Sequence, residues 1–371
     1  MKVSLLENLH VRKKTTITIL ALLLFSCLLA QDRTFMVHTI AFYNTENLFD
    51  TINNPKTNDE EFLPSGEYFW NSGKYQHKLD NIAEVLADIG SDANPDPPSI
   101  IGLAEVENRQ VLEDLVQNPK LAKISYGIIH FDSPDRRGID VALLYDKKKF
   151  RPESYKSIPL VFTVDEKGRI VKNIPDTIPD KKYRKYFTRS QLLVTGLLEG
   201  EEFSFIVSHW PSRGGGEKKT RPYRDAAGEL NRKIVDSLYK INPKAKIVTM
   251  GDFNDGPYNN SVRKELAAKD RKEQVKPLEL YNPMGELARS GMGSVAYRDN
   301  WDIFDQIVLS EPIIHDDFNT LEFWKAGVYN KTYITQTSGK YKGYPLRTWD
   351  GEVGYSDHFP VYVYLIKEIK K

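Results

Sequence analysis

Short apolar runs recur along this chain from Met36 onward, separated by polar or amphipathic stretches, and they never settle into a repeat. Runs of this length are typical of β-strands. They predict strands at residues 37–42, 99–104, 126–130, 140–145, 190–197, 203–208, 247–250, 303–309 and 361–365. Apolar residues at helical spacing predict helices at residues 74–89 and 224–239. Because strands outnumber helices, the pattern favours two sheets packed face to face, with helices outside, over a doubly wound parallel sheet.

The length of 371 residues allows one large α/β domain or two small ones. The segment 165–185 is rich in Pro, Lys and Asp, which is typical of a surface excursion within one domain. No stretch of the chain marks a convincing domain boundary. We therefore expect a single domain over residues 31–371.

The N-terminal segment has the layout of a signal peptide. Basic residues at positions 12–14 precede an apolar run at 17–30, and polar residues follow at once. The run is short for a membrane span, and a buried N-terminal helix is the alternative. We predict a signal peptide over residues 1–30, export to the periplasm or the extracellular medium, and no transmembrane segment after processing. Cys27, the one cysteine, lies inside the run, so a lipid anchor at Cys27 is a second alternative.

The charge balance excludes a broadly basic nucleic-acid-binding protein. Lys and Arg total 52 and Asp and Glu total 51, which gives a net charge of +1. No wide electrostatic field would therefore attract a polyanion. Two basic clusters, at residues 181–185 and 218–224, favour a polyanion if they face a cleft, and are otherwise solvated loop charges.

Polar residues suited to phosphate or metal chemistry follow several of the apolar runs. Asn44 comes after the first predicted strand, where it either forms an Asx-turn or fixes a carboxylate or a metal-bound water. Glu105 ends the second run, and a carboxylate there is costly to desolvate unless a cation or donor meets it. We predict that Glu105 binds a hard divalent cation. The alternative is that Glu105 caps the helix expected near Asn108.

His209 and Arg213 follow the strand predicted at residues 203–208. An imidazole in this position can titrate near neutral pH and contact or protonate a phosphate oxygen. The three glycines at 214–216 lack the Lys-Ser/Thr pair of a phosphate-binding loop. We interpret them as a turn and predict that Arg213 binds phosphate.

Asp252 and Asn254 lie in a Gly-Asp-Phe-Asn-Asp sequence directly after the apolar run that ends at Met250. Residues two apart on an extended segment point to the same side. The pair is therefore predicted to hold one water molecule or one leaving oxygen, with a simple turn as the alternative.

Asp305 and His358 are predicted to form a pair. Asp305 lies in the strand predicted at 303–309, and His358 follows Asp357 just before the last strand. A carboxylate bonded to one imidazole nitrogen favours the charged ring, which can stabilise negative charge in a transition state.

The order of these residues resembles the endonuclease/exonuclease/phosphatase superfamily, which includes pancreatic-type deoxyribonucleases and neutral sphingomyelinases. The Gly-Asp-Phe-Asn motif at 251–254 and the Ser-Asp-His motif at 356–358 carry the resemblance. It implies a four-layered α/β/β/α sandwich with the site at one rim of the sheets. It also implies Mg²⁺ or Mn²⁺ bound chiefly through Glu105, with Asn44 and Asp357 as the other residues of the metal site. Asn44 would also support Glu105, and Asp357 would lie close to the metal.

The resemblance further implies roles for individual side chains. Asp252 would activate or orient the attacking water with the help of Asn254. His358, paired with Asp305, would support the phosphate in the transition state. His209 would contact the phosphate or the leaving group.

Asp140 lies in a region where family members differ. We interpret Asp140 as a partner of His209 or as a substrate contact. The alternative is an aspartate that caps a turn after Gly138.

The predicted function is nuclease-like hydrolysis of phosphodiester bonds by an exported, Mg²⁺- or Mn²⁺-dependent monomer, with nucleic acid as a possible substrate. Phosphatase or sphingomyelinase-type phospholipase activity is the first alternative, because one fold serves many substrates. A non-catalytic surface binding module is the second. A binding module has no need of catalytic side chains, yet every position where the family resemblance implies a polar site residue holds one that is able to do the chemistry, which argues against this alternative.

Overall fold

The structure is a computed structural model that describes residues 33–171, 183–349 and 352–370. The predicted signal segment at 1–30, with Cys27, lies outside the described residues, as do Lys181 and Lys182 of the first basic cluster.

Strands dominate the described chain. In order they are β1 (Phe35–Leu48), β2 (Ile100–Val106), β3 (Tyr126–His130), β4 (Asp140–Asp146), β5 (Phe150–Ile158), β6 (Val161–Asp165), β7 (Tyr183–Phe187), β8 (Gln191–Leu198), β9 (Glu201–His209), β10 (Lys246–Asp252), β11 (Ala268–Lys269), β12 (Leu280–Tyr281), β13 (Val295–Tyr297), β14 (Asn300–Asp302), β15 (Asp305–Ser310), β16 (Glu322–Val328) and β17 (Val361–Glu368). The α-helices are α1 (Ser72–Asp88), α2 (Arg109–Gln117), α3 (Glu217–Ile241) and α4 (Met284–Arg289).

Two large mixed sheets contain most of these strands. The six-stranded sheet has the order β16-β17-β1-β2-β4-β3, and the seven-stranded sheet has the order β11-β12-β15-β10-β9-β8-β5. In the second sheet β10 runs parallel to β9 and antiparallel to β15. Two hairpins, β6-β7 and β13-β14, stand as separate two-stranded sheets.

The alternation of side chains along β10 explains the layers. Val248 and Met250 point into the large core that both sheets share, whereas Ile247 joins a second core with Val235 of α3. Helices α1 and α2 pack their apolar faces into the same large core, together with strands of the six-stranded sheet. The predicted four-layered α/β/β/α sandwich is therefore confirmed, with α3 over one sheet and α1 and α2 over the other.

One compact unit spans Val37–Lys367. Among the described residues, no helix is both long enough and apolar enough to span a membrane.

Several elements differ in extent from the sequence prediction. Strand β1 continues to Leu48, so Asn44 lies within a strand rather than after one. Helix α3 begins at Glu217, before the predicted start, because its first two turns are polar and give no apolar periodicity. Part of the predicted linker at 165–185 belongs to the β6-β7 hairpin.

Candidate active site

The pairing of three strands brings together residues that are far apart in the sequence. Asp252, the last residue of β10, lies opposite His209 on β9 and opposite Asp305 on β15. All three side chains are almost fully buried. The predicted convergence at one rim of the sheets follows from this register.

Asp252 is the centre of the cluster. Its Oδ2 accepts a hydrogen bond from Asn44 Nδ2 at 3.1 Å. The same oxygen lies 3.5 Å from His209 Nε2 and 3.9 Å from His358 Nε2. Burial, and repulsion from the carboxylates of Asp305 and Glu105, outweigh the attraction of His358 and raise the pKa of Asp252 to about 7.

His358 and Asp305 form the predicted pair. His358 Nδ1 lies 2.6 Å from Asp305 Oδ2, which also accepts a hydrogen bond from the Ser294 hydroxyl at 2.6 Å. Burial alone would lower the pKa of His358, but the carboxylates of Asp305 and Asp252 raise it well above the usual value. The ring is therefore held in its charged form, and Nε2 presents an N–H group on the side of Asp252.

Glu105 lies on the other side of the cluster, with Oε1 at 3.8 Å from His209 Nε2. Its Oε2 accepts a hydrogen bond from the backbone of Asn47 at 3.1 Å. Arg137 approaches Oε1 at 3.5 Å. The backbone of Glu105 has φ +60°, which is unusual for a residue with a side chain.

Helix capping, the alternative role for Glu105, is performed by a neighbour. Asn108 accepts a hydrogen bond from the backbone of Val111 at 3.0 Å and thereby caps α2. Glu107 accepts one from the backbone of Asp50 at 2.7 Å. The side chain of Glu105 is left to face the cluster.

His209 is neutral in this environment. Burial and the nearby cations of Arg189 and Arg137 lower its pKa well below the usual value. Arg189 also fixes the segment, since its guanidinium donates to the backbone carbonyls of His209 and Trp210 at 3.3 and 2.8 Å.

A second acidic group, Glu46 with Asp357, lies near the cluster. Buried Glu46 lies 3.4 Å from Lys78 Nζ and 3.2 Å from Arg347 Nε. Arg347 also lies 3.8 Å from Asp357. Burial and repulsion from Asp357 raise the pKa of Glu46 to about 7.

The donor set fits a hard divalent cation. Carboxylate oxygens are the ligands that such ions take in proteins. Repulsion from Glu105 helps to raise the pKa of Asp252, and repulsion from Asp357 helps to raise that of Glu46. A bound cation would relieve both repulsions.

Two clusters of potential ligand atoms occur in the described chain: Asp252, Asp305 and His358, and His130, Asp132 and Asp140. In the first, Asp305 Oδ2 lies 2.6 Å from both His358 Nδ1 and the Ser294 hydroxyl, so these partners already engage Asp305 and one nitrogen of His358. Glu105 and Asp357 are therefore the better candidates for metal binding.

The contacts of Asn44 and Asn254 differ from those predicted. Asn44 donates to Asp252 rather than supporting Glu105, and its Oδ1 accepts from the backbone of Glu46 at 3.0 Å. Asn254 has φ +50°, so the segment is not extended. Its backbone N–H donates to Asp252 Oδ1 at 2.8 Å, while its side-chain amide donates to the carbonyl of Trp210 at 3.0 Å.

Asp140 does not pair with His209. Its carboxylate lies 3.2 Å from His130 Nε2 and accepts from the backbone of Ser133 at 2.8 Å. Asp140 and His130 lie on the neighbouring strands β4 and β3, which accounts for the contact.

Arg213 already has partners within its own region. Its guanidinium donates to the carbonyl of Asn254 at 2.9 Å and to Asp255 at 3.1 Å, and it lies 4.4 Å from the centre of the Phe304 ring. These contacts hold the loop after β10 in place.

The predicted site residues did not include Arg137, Glu46, Lys78 or Ser294. Glu46 carried a signal, because it lies two residues after Asn44 in the same acidic and amide-rich segment. Arg137 belongs to a pair of arginines directly before Gly138. Nothing local distinguishes Lys78 or Ser294 from ordinary helix and loop residues.

Comparison with known proteins agrees with this geometry. A family model described as the endonuclease/exonuclease/phosphatase family matches residues 39–367. The chain belongs to this family. As an endonuclease/exonuclease/phosphatase family member, it is a phosphoesterase, and the family generally depends on divalent metal ions.

Several solved structures share the fold of this family member at low sequence identity. An endonuclease/exonuclease/phosphatase family protein from Bacteroides thetaiotaomicron has 16% identity and a TM-score of 0.50, over 92% of this chain and 98% of that one. A Bacteroides vulgatus protein has 15% identity and a TM-score of 0.50, over 89% and 98%. D. rerio TDP2 complexed with single-strand DNA product has 12% identity and a TM-score of 0.51, over 89% and 98%. Among curated protein sequences, none matches this chain significantly.

Proposed function

We propose that this protein hydrolyses phosphodiester bonds with the help of Mg²⁺ or Mn²⁺, and that its activity is nuclease-like. The convergence on Asp252 Oδ2 of Asn44, His209 and His358, within 3.1, 3.5 and 3.9 Å, supports the proposal. A buried carboxylate among polar N–H groups can orient a water molecule and accept its proton.

Asp252 would take a proton from the attacking water as its oxygen bonds to phosphorus and the ester P–O bond breaks. Its pKa of about 7 lies close to neutral pH, which suits a general base. Asn44 would position the carboxylate through its hydrogen bond, in place of the metal-binding role that we first expected.

His358 would stabilise the negative charge that develops on the phosphate oxygens. The charged ring presents Nε2–H on the side of Asp252, and Asp305 holds its orientation from Nδ1. His209, which is neutral, would offer a hydrogen bond to the phosphate or the leaving oxygen without adding charge.

Glu105 and Asp357 would hold the metal ion. A divalent cation at this position supplies charge neutralisation and polarises the phosphate. The carboxylate of Glu46 would add negative charge near the metal site without binding the ion, since Lys78 and Arg347 already contact it.

Nucleic acid is the proposed substrate class. The D. rerio TDP2 with this fold was solved with a single-strand DNA product, which motivates the test. Phosphatase and sphingomyelinase-type activities remain the alternatives, because the family fold serves both kinds of substrate.

A substrate panel tests the proposal. The protein is freed of metal with EDTA and assayed with Mg²⁺ or Mn²⁺ on plasmid DNA, a single-stranded oligonucleotide, RNA, a sugar phosphate and sphingomyelin. Cleavage of a polynucleotide that requires added metal is expected. Release of phosphate or of a choline head group without any strand cleavage would contradict the nuclease-like activity. Asp252→Asn is the inactive control, and Asp316→Asn, whose side chain is 72% exposed, is its matched surface variant.

Export and a single folded domain after residue 30 also remain proposals. They are motivated by the basic positions 12–14 and the apolar run at 17–30. Mass spectrometry of the protein recovered from a Gram-negative host should find Gln31 at the N-terminus in the periplasm or medium. Recovery of an intact N-terminus in the cytoplasm would reject export, and a lipid on Cys27 that Cys27→Ser removes would establish the anchored form.

A further inference from the structure

Four aromatic rings form a continuous chain of contacts at the surface, in the order Trp301, Tyr344, Tyr341 and Trp349. We call them the aromatic platform. Successive ring centroids lie 5.6, 5.5 and 6.3 Å apart. Trp301, Tyr341 and Trp349 are exposed by 40%, 39% and 49%, respectively. Contiguous exposed aromatic surface is uncommon in soluble proteins and marks a binding surface.

The aromatic platform adjoins the candidate active site at both ends. Trp301 stacks on Phe359 with centroids 5.9 Å apart, and Phe359 directly follows His358. At the other end the guanidinium of Arg347 lies 5.0 Å from the centre of the Trp349 ring. Arg347 is also bonded to Glu46. A molecule that covers the platform would therefore lie beside residues that contact or directly follow site residues.

Cations accompany the exposed rings. Lys340 Nζ lies 5.5 Å from the centre of the Tyr341 ring, in addition to the contact of Arg347 with Trp349. Arg298 lies 5.2 Å from Tyr297, a flanking ring that is 69% exposed. Rings combined with cations suit a single-stranded nucleic acid, whose bases stack on aromatic faces while its phosphates meet positive charge.

A membrane surface is a poorer match. The exposed large hydrophobic side chains within residues 297–301 and 341–349 are all aromatic, with no aliphatic residue among them. Insertion into lipid typically uses aliphatic side chains together with aromatic ones. A double helix is also a poorer match, because its base faces are covered by stacking within the duplex.

We propose that the aromatic platform stacks the bases of a single-stranded polynucleotide and thereby places a neighbouring phosphodiester at the candidate active site. This inference rests on the proposed nuclease-like function for its purpose. The binding itself requires no cleavage and can be measured without metal.

The first test measures affinity for a fluorescent oligothymidylate of about a dozen nucleotides in EDTA. We expect the double variant Tyr341→Ala/Trp349→Ala to lose about ten-fold in affinity for each ring removed. Trp324→Ala is the matched control, because Trp324 is also 49% exposed but lies on β16, outside the platform. Affinity equal to that of the wild type in the double variant would overturn the proposal. If the double variant fails to fold, the single variant Trp349→Leu is measured in its place and should bind oligothymidylate more weakly than the wild type.

A ligand control separates stacking from charge. An abasic oligonucleotide of the same length has the same phosphates but no bases. The wild type should bind it as weakly as the double variant binds oligothymidylate. Equal affinity of the wild type for both ligands would overturn the proposal.

The outcomes distinguish this proposal from the proposed function. Platform-dependent binding without metal-dependent cleavage would support the platform and reject the nuclease-like activity. If the wild type cleaves a polynucleotide and the double variant binds oligothymidylate as tightly as the wild type does, the nuclease-like activity is supported and the platform proposal is rejected. If the double variant loses the wild type's binding to phosphatidylcholine vesicles but keeps its oligothymidylate affinity, the platform binds a membrane surface and the proposal is overturned.

Discussion

At the scale of single residues, Asp252 combines deep burial with a position among other carboxylates. Its environment raises its pKa to about 7, so the ionised form that a general base requires is energetically unfavourable in the absence of a cation. Groups that serve catalysis in this way often cost stability.

Asp252→Asn should lower the turnover of a phosphodiester such as bis(p-nitrophenyl) phosphate by about 100-fold or more, since the general base is lost. The melting temperature should stay unchanged or rise, because the amide removes repulsion from Asp305 and Glu105. Steady-state kinetics and thermal unfolding check the two effects. The exposed Asp316→Asn should change neither. A marked fall in the melting temperature of Asp252→Asn would contradict a catalytic reason for the carboxylate.

Glu105 carries a second cost, in its backbone. With φ +60° the residue is in the left-handed region, which costs about 1 kcal/mol for a residue with a Cβ atom. Such strain is found at functional positions, where the side chain is needed despite it.

Glu105→Gly and Glu105→Gln should both lose metal-dependent activity, but they should differ in stability. The glycine variant relieves the left-handed strain, whereas the glutamine variant retains it, so the glycine variant should be more stable by about 1 kcal/mol. Urea unfolding of both variants without metal measures the difference. A glycine variant that is the less stable of the two would show that the backbone is not strained at Glu105.

At the scale of elements, the close approach of β9 and β10 positions the end of β10. A Cβ atom on Gly251 would lie 2.1 Å from the backbone oxygen of Ser208. The motif glycine before Asp252 is therefore required by strand spacing.

Gly251→Ala should destabilise the protein by about 3 kcal/mol or more, because the clash is with backbone that cannot rotate away. It should also lower activity by displacing Asp252. Gly102→Ala is the comparison, since its Cβ would meet the movable Met250 sulfur at 2.7 Å, and its cost should be smaller. Urea unfolding of both variants ranks them, and a milder Gly251→Ala would refute the argument from spacing.

At the scale of the whole molecule, His38 links stability to pH. This buried ring on β1 contacts Ser99 at 2.8 Å, and burial lowers its pKa to about 4, with a further contribution from Lys149. Asp96 and Glu201 act in the opposite direction.

The native state therefore binds a proton at His38 less readily than the unfolded chain does. Above the unfolded pKa of about 6.5, neither state is protonated and His38 has no effect. As the pH falls from about 6.5 towards 4, protonation of the unfolded chain should reduce stability, by about 2 kcal/mol at pH 5. Urea unfolding between pH 8 and pH 5 measures this loss. His38→Gln should reduce this loss of stability at low pH, whereas His77→Gln, on the exposed face of α1, should not. An equal pH dependence of stability in the wild type and in His38→Gln would contradict the role of His38.

The layered fold was predictable because its causes are local. Apolar runs such as that in β3 mark strands by their length, and the predicted bounds of β3 agree with the structure. Strand β6 was overlooked although Val161, Phe162 and Val164 form a short apolar run there. Strand β7 was missed because it mixes charged and aromatic residues and is mostly exposed, so no apolar run marks it. The start of α3 was missed for the same reason.

The sequence by itself determined which side chains are candidates for the chemistry and in which order they occur, since the Gly-Asp-Phe-Asn and Ser-Asp-His motifs are local features of the chain. It also allowed the pairing of Asp305 with His358 to be predicted, and the structure has this contact. Only the tertiary structure decided that Asn44 bonds Asp252, that Asp140 bonds His130, and that Arg137 and Glu46 adjoin the site. These contacts depend on strand register and on the packing of one sheet against the other, and such long-range geometry leaves no mark on neighbouring residues.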